Sequence, residues 1–85
     1  MGDPMTEQEL IDCYIESSPD GRADARLRGY GVNVWAVVGQ LRIHEGCIDE
    51  VMKDYDIPRD AVQAALAYYG QNKDYIDARL LLNSA

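Results

Sequence analysis

Beyond about residue 33 the apolar positions recur at helical spacing. Val34, Trp35, Val37, Val38 and Leu41 form a broad apolar face that predicts a helix from Asn33, at the N-cap, to about His44. The β-branched valines make a strand the local alternative, and Ala36, Gln40, Leu41 and Arg42 favour the helix. Glu45-Gly46 ends it. Ile48, Val51, Met52 and Tyr55 predict a short helix over about 47–54, with Asp49 and Glu50 where the dipole favours acids. Asp56-Ile57-Pro58 is a turn. Ala61, Val62, Ala65, Leu66 and Tyr69 then make one stripe, the clearest helix of the chain, over about 58–70. Gly70-Gln71-Asn72 interrupts it, and Tyr75, Ile76, Arg79, Leu80 and Leu82 predict a last helix over about 72–82. The pair 47–54 and 58–70 has the lengths of a helix-turn-helix.

The first third reads differently. Thr6-Glu7-Gln8-Glu9 has capping-box spacing and predicts a short helical turn near 6–10. Cys13-Tyr14-Ile15-Glu16 is β-friendly and runs into the turn cluster Ser17-Ser18-Pro19-Asp20-Gly21. Ala25, Leu27 and Gly29 alternate with Arg26, Arg28 and Tyr30, which predicts a half-exposed strand. Pairing of about 13–16 with 25–29 follows. Gly29 and Gly31 flank Tyr30 and permit a bend there. The expected fold is α+β and mostly α: an N-terminal β-hairpin over about 10–32, then a compact four-helix bundle over about 33–82 with a helix-turn-helix-like pair.

Length and charge narrow the picture. An 85-residue chain is one domain. It buries only about 60–65% of the surface its unfolded form exposes, so a partner, including a second copy, is expected. Met1-Gly2-Asp3-Pro4 before Met5 reads as a cloning remnant, leaving residues 5–85 as the domain. No apolar run reaches the ~20 residues of a membrane helix, and a cytoplasmic setting is the simplest expectation. Cys13 and Cys47 match no zinc or redox spacing and read as free thiols. The net charge of −7 argues against a general nucleic-acid coat and suits a basic partner, such as an RNA-handling enzyme. The charge is uneven: six acids and no bases in residues 1–20, but four arginines against two acids in 21–46.

The strings RLRGYGVNVWAVV at 26–38 and DYDIPRDAVQAALAYYGQNKDYIDARL at 54–80 resemble the domain-of-unknown-function 433 family. The matching features are Asp54-Tyr55 before the turn, Ala64-Ala65-Leu66-Ala67-Tyr68-Tyr69 in the next helix, and Ile76-Asp77 in the last. Asn33 departs from a frequent proline, and Cys47 and Pro58 from serine or threonine caps. Many such proteins look like VapB-type antitoxins encoded beside toxins with PIN-like nuclease folds. The resemblance therefore implies an interaction protein that neutralises a nuclease toxin and binds its own operator. It also implies a partner-binding role for Arg79, reaching toward the toxin's metal-binding carboxylates.

Candidate chemistry is sparse. His44 has no nucleophile in a recognisable motif nearby and reads as a C-terminal cap. The Asp54–Asp56 and Asp74–Asp77 pairs lack the pattern of a calcium loop and read as solvated helix-end acids. Gly29-Tyr30-Gly31 lacks the third glycine of a dinucleotide loop and any Walker lysine. Catalysis, a metal and a cofactor are not expected. For DNA, helix 58–70 would show Arg59, Asp60, Gln63, Ala67 and Gln71 outward, with Arg59 and Gln63 able to read guanine and adenine edges. Arg22, Arg26, Arg28 and Arg42 offer a basic ribbon, or simply a solvated face. With no phenylalanine, Trp35, Tyr55, Tyr68 and Tyr69 supply the aromatic bulk of the core, while Tyr14 and Tyr30 on the hairpin are candidates for homodimer or toxin contact. A small dimeric helix-turn-helix regulator without a toxin is the alternative function.

Overall fold

The computed structural model describes residues 5–83, so segment 1–4 lies outside the described residues. Among the described residues five α-helices and a two-stranded antiparallel sheet surround one aliphatic core. The first helix, α1 (Glu7–Tyr14), is longer than the turn expected near 6–10. The Thr6 hydroxyl accepts the Glu9 N–H at 3.2 Å, and the Glu9 carboxylate accepts the Thr6 N–H at 3.1 Å. With both orphan donors satisfied, the helix continues until Ile15, whose backbone is extended. Leu10 is buried, and Ile11 and Tyr14 pack against the core, so tertiary packing overrides the β propensity of Cys13-Tyr14.

The hairpin is correspondingly shorter than the expected 13–16 with 25–29. Strand β1 (Ile15–Glu16) pairs with β2 (Arg26–Leu27) in the register Ile15↔Leu27, Glu16↔Arg26. A 3₁₀ turn at Arg22–Asp24 occupies the connection. The alternation holds only as far as Arg28: Ala25 and Leu27 are buried and Arg26 and Arg28 face out, whereas Gly29, expected inward, is exposed with Tyr30 in the turn that follows. After Leu27 the chain doubles back. The Leu27 carbonyl accepts N–H groups from Tyr30 (3.2 Å) and Gly31 (3.1 Å), and the Leu27 N–H donates to Val32 at 2.7 Å. Gly29 and Gly31 have φ of +83° and +71°, left-handed values that cost other residues about 1–2 kcal/mol.

The remaining helices lie close to their expected places: α2 (Val34–Ile43), α3 (Ile48–Tyr55), α4 (Arg59–Gln71) and α5 (Lys73–Asn83). Asn33 is the N-cap of α2 through its carbonyl, which accepts from Ala36 and Val37; its side chain makes no capping bond, unlike the expectation. Glu45 and Gly46 end α2 with positive φ, and the Gly46 N–H returns to the Leu41 carbonyl at 2.8 Å. Only Asn72 separates α4 from α5.

Helix α4 is the hub, packed against α1, α2, α3 and α5. Ala61, Val62, Ala64, Ala65 and Ala67 are all buried. Ala67 therefore points inward rather than outward, because a helix with neighbours on several sides buries more than one stripe. Trp35, Tyr55, Tyr68 and Tyr69 are only partly buried at the edge of the core, whose fully buried large side chains are Leu27, Ile76 and valines. Among the described residues no helix is long and apolar enough to cross a membrane.

Candidate interaction surfaces

Helices α2 and α5 meet at Gly39, where a Cβ would stand 3.1 Å from Leu80 Cδ2. That close approach leaves a groove of about 670 Å³ along their outer edges. Its apolar walls come from Trp35, Gly39, Ile43, Tyr55, Leu80 and Leu81. Ile43 is 72% exposed and Leu81 74%. α5 buries only Ile76, so its Leu80-Leu81-Leu82 run turns apolar surface outward.

The groove's polar residues bond within the molecule. Asp77 accepts from Lys73 Nζ (2.7 Å), the Tyr69 hydroxyl (2.7 Å) and Arg42 Nη2 (2.9 Å). Arg42 also donates to the Tyr69 hydroxyl at 2.8 Å. The bonds from Lys73 and Tyr69, with Arg42 adding less, hold the Asp77 carboxyl down at about 2. Gln40 Nε2 donates to Asp54 at 2.7 Å, and His44 Nε2 stands 2.7 Å from the same oxygen. These two contacts, Gln40 first, lower the Asp54 pKa. His44 is the C-cap residue of α2, and its ring reaches across to α3. Asn83 Nδ2 donates back to the Arg79 carbonyl at 2.9 Å.

The residues singled out from sequence separate into several places. Arg59 and Gln63 are exposed on α4, but Arg59 Nη2 lies 2.6 Å from Asp49 of α3. Arg26 is exposed opposite Glu16 in the ladder. Arg28 braces the hairpin: its guanidinium donates to the Ile15 carbonyl at 3.1 Å and its N–H to the Tyr14 carbonyl at 2.6 Å. Burial raises the Tyr14 pKa, and the Asp60 charge and Tyr30 add to the rise. Tyr30 is 44% exposed in the turn between Gly29 and Gly31. Arg79 sits elsewhere, bonded to both Asp24 oxygens at 2.8 and 2.9 Å, and fastens α5 to the 3₁₀ turn. Arg22 stacks over Tyr75 at 5.2 Å, so the four arginines at 22–42 do not form one ribbon: Arg22 and Arg42 engage α5, and Arg28 engages β1.

Sequence reasoning missed the groove. Its signal lay in the leucines of α5, three in succession where one helical face takes at most two. Among the described residues no group of three or more His, Cys, Asp or Glu is placed to hold a metal ion.

Comparison with curated proteins and with solved structures finds no match. A family model does match. It covers residues 22–69, from the 3₁₀ turn through β2, the Gly29–Gly31 turn and α2–α3 to most of α4, the hub of the fold. Over that span, more than half of its length, the chain carries the family's pattern, and it belongs to the family described as protein of unknown function (DUF433).

Proposed function

We propose that this chain is an antitoxin-like interaction protein that binds and inhibits a PIN-like ribonuclease toxin. The observation that carries the reading is its charge. The chain carries −7, and α1 exposes Glu7, Glu9 and Asp12 with no basic residue. A surface that holds RNA is basic, so an acidic helix laid on it competes with phosphates for the same cations. Inhibition is then occlusion, and needs no catalytic group on this chain. Arg79 takes part only by exchanging Asp24 for a carboxylate of the nuclease. The likeness of family members to antitoxins points the same way. Such a complex works in the cytoplasm, where the exposed thiols of Cys13 and Cys47 stay reduced.

Co-expression with the protein of the adjacent reading frame, followed by purification and a ribonuclease assay, tests the proposal. The expected result is a stable complex that gains nuclease activity when this chain is removed and that loosens as salt rises. Absence of any complex removes the reading.

A second reading is a dimeric regulator that places α4 in the major groove as the second helix of a helix-turn-helix. Its support is the three-residue turn 56–58 between α3 and α4 and the exposed Gln63. Against it stand the Arg59–Asp49 ion pair and the neighbouring Asp60. Replacing both Arg59 and Gln63 by alanine abolishes operator binding on this reading, and an unchanged DNA affinity dismisses it.

A further inference from the structure

We infer that the groove between α2 and α5 is the contact face between two copies of this chain, joined about a two-fold axis. Three observations carry this. The first is apolar exposure: Ile43 and Leu81 are each more than 70% exposed in a groove walled by Trp35 and Leu80. Clustered exposure of this kind marks interaction surfaces, unlike scattered single residues.

The second is the state of the polar groups. A small-molecule pocket of this size presents a few convergent donors or acceptors to orient its ligand. Here Gln40, Arg42, Asp77 and Asn83 are engaged with Asp54, Tyr69, Lys73 and the Arg79 carbonyl. The groove offers shape and apolar area, which suits side chains of a protein.

The third is charge, and it selects a second copy. A two-fold contact sets each surface patch against itself, so a chain of net charge −7 pairs best through a face with little net charge. α1 carries three acids and no base, and α3 three acids and one lysine. α2 carries only Arg42, and on α5 Lys73 and Arg79 offset Asp74 and Asp77. The same face carries projecting side chains and the hollow to receive them, the self-complementarity a two-fold contact requires. The acidic α1 stays free in such a dimer, so the pairing is independent of what α1 binds.

Sedimentation equilibrium of the full chain over a range of concentrations tests the inference. The wild type is expected to be a dimer, and more so as salt screens its overall repulsion. Ile43→Glu sets two carboxylates face to face and weakens Kd on the order of a hundredfold or more, with an unchanged far-ultraviolet circular dichroism spectrum. Leu81→Glu does the same from the other helix; because its side chain is exposed, folding is not at stake. Tyr30→Glu, on the hairpin turn, leaves the dimer intact. A monomeric wild type overturns the inference. So does a dimer that survives both groove substitutions, or one that dissociates with Tyr30→Glu instead.

Discussion

Helices α4 and α5 are separated by one residue and have similar lengths, yet they are held in different ways. α4 buries five small side chains against four neighbouring helices. α5 buries only Ile76 and is fastened largely by polar ties: Asp77 to Arg42, Lys73 and Tyr69, and Arg79 to Asp24. Alanines at close-packed positions let helices approach and leave no room for change, whereas a helix held by ion pairs at its rim keeps its apolar residues available. The family pattern reaches through most of α4 and stops at Tyr69, before α5 begins. The matched span therefore takes in most of the hub.

The sharpest way to break the contrast is to remove the fully buried apolar anchor of α5. Ile76→Ala is expected to cost about 2–5 kcal/mol in chemical denaturation, because a fully buried isoleucine leaves a cavity its neighbours refill only in part. A cost below that of an exposed substitution would mean that the polar ties alone hold the helix. Ala64→Leu comes next. At 0% exposure on the hub it forces neighbours apart and is expected to cost about 1–3 kcal/mol, readable as a shift of the denaturation midpoint at constant slope. Leu82→Ser sits at the other extreme. In dilute solution, where dimers dissociate, it is expected to change stability by no more than about 0.5 kcal/mol, since its side chain is already in water.

Much of this division could be read in the chain. The stripe Ala61, Val62, Ala65, Leu66, Tyr69 located α4, and the glycines around Tyr30 located the turn that their positive φ values require. The capping box was visible at Thr6 and Glu9, but its reach was underestimated: whether residues 11–14 continue the helix depends on packing with α4, a contact 50 residues away in sequence. The inward turn of Ala67 was hidden for a similar reason, since a single stripe does not reveal that a helix has neighbours on several sides. The candidate residues were legible as types and not as partners. Nothing in the spacing of Arg79 and Asp24, or of Arg59 and Asp49, signals that each pair closes an ion pair across elements. The groove depends on Gly39 opposite Leu80, a relation between two helices that no one-dimensional pattern contains.

The smallest effect expected is also the most selective. The Asp77 carboxyl is lowered from 3.8 to about 2 by its bonds from Lys73, Tyr69 and Arg42. The unfolded chain binds that proton more readily than the folded one, so the contribution is complete above the ordinary carboxylate value. It fades as pH falls from about 4 toward 2, where the folded group also protonates. Asp77→Asn removes this dependence: the acid limb of the stability profile flattens, while stability near neutral pH drops only slightly, because the group is at the solvent-facing rim. Hydrogen exchange decides where the loss falls. If α5 is held as described, its amides lose protection in Asp77→Asn while those of α4 keep theirs, because the hub's packing does not pass through Asp77. Equal loss in both helices would mean that α4 and α5 open as one unit, and the contrast between a packed hub and a tethered neighbour would collapse.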